Sequence, residues 1–150
     1  MKYAAYGSNM NIEQMATRCP CATKIGTGII NEYELVFCRV ATIQPRKENS
    51  VPVVLWEITE SCEKRLDIYE GYPHLYIKKN LVVKIEREIT DEEKPHDTFY
   101  KTDFESELVE AMVYIMAEPH CSRSAPPSDY YLQTIVDGYR QNNIEQQIRI

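Results

Sequence analysis

Apolar and polar positions alternate along this chain in a way that predicts strands at both ends of the order and two well-marked helices between and after them. Lys2-Tyr3-Ala4-Ala5-Tyr6 predicts a short strand, interrupted by Gly7, Ser8 and Asn9. Asn11, followed by Ile12, Met15 and Ala16, predicts a short helix that Cys19-Pro20-Cys21 ends, since proline cannot continue it. Ile25 to Ile30 predicts a strand bulged around Gly26 and Gly28, then a turn at Asn31-Glu32 and a second strand over Tyr33 to Cys38. Ala41-Thr42-Ile43 leads into a polar stretch, Gln44 to Ser50, read as a loop. Val51 to Ile58, which carries Trp56, is apolar throughout, the pattern of a central strand buried on both faces.

From Thr59 to Gly71 the helix signals agree with one another. Thr59 or Ser61 can cap, Glu60 and Glu63 occupy the first turn, and Cys62, Leu66 and Tyr69 fall on one apolar stripe. Gly71 stands where a left-handed C-terminal cap is expected, and Pro73 prevents resumption. Tyr76 to Ile85 predicts a strand with Ile77, Leu81, Val83 and Ile85 on one side and a wetter face on the other. Glu86 to Glu107 is charged and predicts a long surface excursion, with a hairpin around Thr98-Phe99-Tyr100. Leu108 to Met116 returns to strand. Ser124 to Ser128 is extended, and Ser128 caps a helix whose stripe is Tyr131, Leu132, Ile135, Val136 and Tyr139, running to about Gln141; Asn143 to Ile150 predicts a last short helical turn. No repeat or boundary divides the chain, so 1–150 is expected to be one domain.

Two places in this pattern carry candidate chemistry. A strand that turns through Gly7-Ser8-Asn9 into a helix leaves N–H groups without internal partners, and these can cup an anion. The plainer reading of such a tripeptide is an ordinary turn. The second place is Glu70, the last residue of its helix. A carboxylate there faces exposed carbonyls and the negative end of the dipole, which raises its basicity, as a general base requires. Lys78 or Lys79 could offset its charge; the plainer reading is a frayed, solvent-facing glutamate.

A net charge of −6 argues against nucleic acid, whose phosphates need clustered cations. The absence of a long apolar run argues against a membrane span, and the lack of a basic-then-apolar leader makes the cytoplasm the expected compartment. Five cysteines (19, 21, 38, 62 and 121) include no C-x-x-C pair and are read as reduced, mostly buried thiols; His74, His96 and His120 are scattered, so no metal site is expected.

Tyr6-Gly7-Ser8-Asn9-Met10, Leu66-Asp67-Ile68-Tyr69-Glu70-Gly71 with Tyr76, and Ser124-Ala125-Pro126-Pro127-Ser128 with Tyr131 occur in that order, with Ala41-Thr42-Ile43 and the Trp56 strand between. Together they resemble the γ-glutamylcyclotransferase family (AIG2-like, or γ-glutamylamine cyclotransferase-like). The excursion over 86–107 is longer than the family's usual connection, and Tyr72-Pro73-His74-Leu75-Tyr76 is closer to the branch acting on γ-glutamyl amines. The resemblance implies an α+β fold, a small mixed barrel-like sheet with a few peripheral helices. It also implies conversion of a γ-glutamyl compound to 5-oxoproline and a free amine, without a cofactor. By that similarity Glu70 is the catalytic acid/base, Tyr3, Ala4, Ala5, Tyr6, Gly7, Ser8 and Asn9 form the loop holding the glutamyl group, and Tyr76 and Tyr131 contact substrate. The expected partner is a small γ-glutamyl substrate, and monomer and homodimer both stay open.

Two rivals belong beside this reading. Cys121 with His120 could serve as nucleophile and base, although neighbours on a strand point apart and cysteine is usually a small core residue. A non-catalytic anion-binding or regulatory module on the same scaffold is the other. Glu70 argues against it, because a binder of an anionic ligand gains nothing from a second negative charge.

Overall fold

A computed structural model of the chain describes residues 1–88, 108–118, 121 and 123–150. Its elements are β1 (Lys2–Ala5), a 3-10 turn (Ser8–Met10), α1 (Ile12–Arg18), β2 (Thr23–Cys38), β3 (Val40–Glu57), α2 (Glu60–Glu70), β4 (Tyr76–Glu88), β5 (Leu108–Met116) and α3 (Asp129–Gln141). The five strands close into a barrel in the order β1-β3-β2-β4-β5, with β1 running parallel to β5 at the seam, where Tyr3 faces Met112. All other pairings are antiparallel. This is the small mixed, barrel-like architecture with helices outside it that the sequence motifs imply.

The apolar run inside β3 is the middle of the sheet, with β1 on one side and β2 on the other. Val51, Val53, Val54 and Leu55 are fully buried and Trp56 nearly so, as a strand covered on both faces requires. The first half of β3 departs from expectation. Gln44 to Ser50 is not a loop but part of the outer arm of a long hairpin, largely exposed yet within the β2 ladder, where Gln44 faces Glu34, Pro45 faces Tyr33 and Ser50 faces Asn31. Nor does β2 break at Asn31-Glu32. The ladder slips there by a bulge with Glu32 at φ 65, and the strand continues. The bulging expected near Gly26 and Gly28 is present on both of β2's ladders.

Local caps fix the helices. Asn11 caps α1 by accepting from Gln14 N. Thr59 caps α2 by accepting from Cys62 N, and Ser128 caps α3 by accepting from Tyr131 N. Gly71 ends α2 in the left-handed region, φ 63 and ψ 35, with its N–H bonded back into the last turn. Residues 143–150 contain no helix, so the expected last turn is absent.

Several expectations about side chains also change. Tyr69 does not complete the buried stripe of α2 but is 53% exposed. Ile77 is exposed too, whereas Tyr76 and Lys78 on the opposite face of β4 are covered. Cys38 and Cys121 form a disulfide with Cα atoms 5.6 Å apart, so not all five thiols are free, and Cys21 is exposed. The expected excursion and its hairpin at 98–100 lie outside the described residues apart from Glu86 to Glu88, which continue β4. Among the described residues no helix is long and apolar enough to cross a membrane.

Candidate functional site

A cavity of about 280 Å³ opens where the end of β1, the 3-10 turn, the start of β3, the end of α2 and the start of α3 converge. Most of the sequence-predicted residues line it. Tyr3, Tyr6, Gly7, Ser8 and Asn9 form one wall, Tyr76 and Tyr131 another, and Glu70 a third. Ala4 and Ala5 do not line it. They are almost wholly buried in β1, paired with Leu55 and Val54 of the central strand.

The turn at residues 7–9 is held from several directions. The Asn9 carbonyl accepts from Trp56 Nε1 at 3.1 Å, and Asn9 Nδ2 donates to the Tyr3 hydroxyl at 3.0 Å. Arg18 Nη1 donates to Asn9 Oδ1 at 2.7 Å and to Ser8 Oγ at 3.1 Å. The side chain of Asn9 is therefore engaged in holding the turn. Within the turn Met10 N–H bonds to Gly7 O and Asn11 N–H to Ser8 O; the earlier N–H groups precede any helical acceptor. From behind, Asn142 Nδ2 donates to Met10 O at 2.9 Å and Asn11 Nδ2 to Thr134 O at 3.1 Å, so α3 clasps the segment. Gly7 lies outside the left-handed region, with φ −119. A methyl group there would lie 3.4 Å from the Tyr131 hydroxyl and 3.5 Å from Ala41 Cβ, ordinary contact distances, so glycine leaves room in the cavity wall rather than relieving backbone strain.

Glu70 reaches the cavity because α2 is tethered to the barrel one turn earlier. Asp67 accepts from the Tyr114 hydroxyl at 2.6 Å and from Lys78 Nζ at 3.0 Å, and Lys78 also donates to Glu63 at 2.8 Å. Of the two lysines that the sequence left open as partners for Glu70, Lys78 is committed instead to Asp67 and Glu63. Nor is Glu70 a frayed surface residue. It is half-buried among tyrosines, and that burial pushes its carboxyl from the ordinary 4.5 up to about 7, with Arg18 pulling the other way. The direction is the one expected from the sequence, and desolvation by burial is its largest cause.

The surrounding hydroxyls are neutral donors and acceptors, because burial raises every one of them. Tyr76 donates to Ala41 O at 2.6 Å and Tyr131 accepts from Ala41 N at 3.0 Å, so the two phenols hold the two main-chain polar groups of one residue at the start of β3. Tyr131 keeps its own proton to give. Tyr6 donates to Tyr114 O at 2.6 Å, which ties β1 to β5 across the seam.

Sequence reasoning missed Arg18, Val40, Ala41, Tyr69, Leu75 and Tyr114, all of which line the same space. Arg18 carries the bland signature of a cation in the last turn of a helix, and Tyr114 that of an ordinary strand aromatic. Tyr69 alone gave a signal, as the neighbour of Glu70 in the motif Leu66 to Gly71; in the fold its ring lies under the Arg18 guanidinium, whose Cζ is 4.7 Å from the ring centroid. The rival nucleophile is removed by the fold: Cys121 is bonded to Cys38, and His120 lies outside the described residues. Among the described residues no group of three His, Cys, Asp or Glu side chains could hold a metal ion.

The cavity therefore brings together a turn braced by side chains and a carboxyl that burial pushes up to about 7. No curated protein matches the sequence. Among solved structures, one named as a γ-glutamyl cyclotransferase superposes with a TM-score of 0.75 at 23% identity, covering 97% of this chain and 81% of that one. An uncharacterised protein from Homo sapiens gives 0.75 at 25% identity over 96% and 80% of the two chains. An AIG2-like protein from Mus musculus gives 0.59 at 18% over 87% and 81%. The profile of the family described as gamma-glutamyl cyclotransferase, AIG2-like, matches residues 3–133. The chain accordingly belongs to the γ-glutamyl cyclotransferase, AIG2-like family.

Proposed function

We propose that this chain cyclises a γ-glutamyl compound to 5-oxoproline and releases the free amine, with Glu70 as general acid/base and the Gly7-Ser8-Asn9 turn as the donor group for the oxyanion. The observation that carries this reading is the presence of Glu70, its carboxyl raised to about 7, in the same cavity as the braced turn.

The substrate brings nucleophile and electrophile on one chain. Its α-ammonium gives a proton to the Glu70 carboxylate, and the amine nitrogen attacks the γ-carbonyl carbon, closing a five-membered ring. Tethering of this kind is worth an effective molarity on the order of 10⁵ M or more. The carbonyl oxygen becomes an oxyanion, for which the N–H groups at the start of the turn are suited donors; losing one such donor typically costs roughly 10²–10³ in rate. As the tetrahedral intermediate collapses, the bond to the departing amine breaks and that nitrogen takes the proton held by Glu70; the ring nitrogen then gives its second proton to the Glu70 carboxylate, which passes it to the released amine. Overall two protons pass from the attacking nitrogen to the leaving one, and a single carboxyl titrating near neutrality serves both directions. Tyr3, Tyr6, Tyr76 and Tyr131 would contact the glutamyl group through hydroxyls that stay neutral.

Incubation with γ-glutamyl dipeptides and with γ-glutamyl-lysine, followed by measurement of 5-oxoproline, tests the reading directly. We expect product from at least one of them, with kcat/KM rising through a pH of about 7 as Glu70 ionises. Glu70→Gln should abolish turnover while substrate binding, followed calorimetrically, survives. Comparable turnover in that variant removes Glu70 from the mechanism, and no 5-oxoproline from any γ-glutamyl compound leaves only a binding module.

A further inference from the structure

We propose that Arg18 is a positioning residue of this site: its guanidinium ties the Ser8–Asn9 turn to the Tyr69–Glu70 end of α2 and supplies the positive charge that Glu70 faces. The inference rests on the cyclisation reading above and assigns a role within it. Three observations converge on this one side chain. Its Nη1 reaches Ser8 Oγ and Asn9 Oδ1, on the wall offered as the oxyanion cup. Its carbon Cζ lies 4.7 Å from the centre of the Tyr69 ring, the residue next to Glu70. Its Nε–H is buried with no acceptor among the described residues.

The last point argues that stability alone does not explain the placement. A buried donor left unpaired costs free energy, and an arginine serving only as a helix-end cation would turn into water instead. Here it lies along the cavity and joins two elements that are otherwise separate walls. The planar fork suits that task, since one nitrogen serves two oxygens while the flat face stacks on a phenol ring.

The electrostatics point the same way. Of the described residues lining the cavity, Arg18 and Glu70 are the charged ones. The other titratable groups that face Glu70 are the phenols of Tyr3 and Tyr6 from the β1 side, Tyr76 from β4, Tyr114 from β5 and Tyr131 from α3, and all are kept neutral by burial. Arg18 is thus the group that favours the Glu70 carboxylate against the desolvation that disfavours it. Without it the base would be neutral over more of the physiological range, and the turn would lose its lateral brace.

The test separates this role from the reaction itself. In protein carrying carboxyl-labelled glutamate, the carbon resonance missing from Glu70→Gln identifies Glu70, and its titration is followed by NMR without any turnover. We expect the midpoint to move upward in both Arg18→Met and Arg18→Gln and to stay in place in Arg18→Lys. The second neutral variant keeps an amide donor for Ser8 and Asn9 and carries the test should the methionine variant not fold. Turnover should fall on the order of tenfold to a hundredfold in Arg18→Met, the scale expected for a misplaced reacting group, and less in Arg18→Gln. An unmoved midpoint in both neutral variants overturns the role of Arg18, as does an equal shift in Arg18→Lys. A wild-type protein that titrates as described but makes no 5-oxoproline overturns the cyclisation reading instead.

Discussion

A carboxyl that must ionise inside a half-buried cavity works against the fold, and Glu70 is where this chain meets that cost. Its folded-state titration lies near 7 against an ordinary 4.5, so between those values the folded protein holds a proton that the unfolded chain has lost. Stability from this group is complete below about 4.5 and is lost as the pH rises through about 7. One pH decade corresponds to about 1.4 kcal/mol, and because water still reaches part of the side chain we expect roughly 1–2 kcal/mol rather than the full span. Glu70→Gln has no such decline. In urea unfolding it should gain on the wild type by roughly 1–2 kcal/mol between pH 5 and pH 8. Other carboxylates cancel in that difference, Glu57 included, which the terminal ammonium holds below its usual range. A gap between the two proteins that is the same at both pH values would show that burial does not govern Glu70. The residue itself was legible in the sequence because a helix end is a local event. What surrounds it was not, because Arg18 and Tyr114 come from elements 52 and 44 residues away in the chain and only the closed barrel brings them near.

At the level of elements, the same division between local and distant causes recurs. Caps were legible: Thr59, Gly71 and Ser128 act on backbone groups within a few residues, and each does what its position predicts. The polar arm of β2 and β3 was not, because Gln44 to Ser50 is a strand through pairing with its neighbour and shows no apolar alternation. The Cys38–Cys121 bond, 83 residues apart, likewise follows from topology and not from spacing. Gly71 is the local device on which the site depends most. Its φ of 63 is the left-handed region, and a methyl group there would also lie 3.2 Å from Leu75 Cβ, part of the cavity wall. Gly71→Ala should therefore cost roughly 1–2 kcal/mol of stability. It should also lower kcat, because the last turn of α2 and Glu70 with it would have to move. Thermal unfolding and steady-state rates on the same preparation check both halves; a variant that loses stability but keeps its rate would mean that Asp67 and Lys78 alone hold Glu70 in place.

The whole molecule separates its closure from its chemistry, and that separation can be measured. The barrel depends on β2 approaching β4 closely at Gly28, where a methyl group would lie 2.6 Å from Lys84 O and 2.7 Å from Val83 Cγ1. The first of those neighbours is backbone, so the strands themselves would have to part. The pairing partner of Gly28 on β4 is Ile85, and the cavity takes its residue from the other end of that strand, Tyr76. Nine residues of extended chain separate the two, roughly 30 Å at the usual rise. Gly28→Ala should then destabilise the protein by about 1–3 kcal/mol, the usual cost of forcing volume into a packed place. The fraction that remains folded should cyclise substrate at a rate within about twofold of wild type, since additive behaviour is expected of sites this far apart. Urea midpoints and rates normalised to folded protein give the two numbers. If the rate falls together with stability, as it should for Gly71→Ala, the barrel transmits strain along β4 to Tyr76 and the Ala41 peptide it grips, and the site is then a property of the closed sheet rather than of the helix ends and turn set around it.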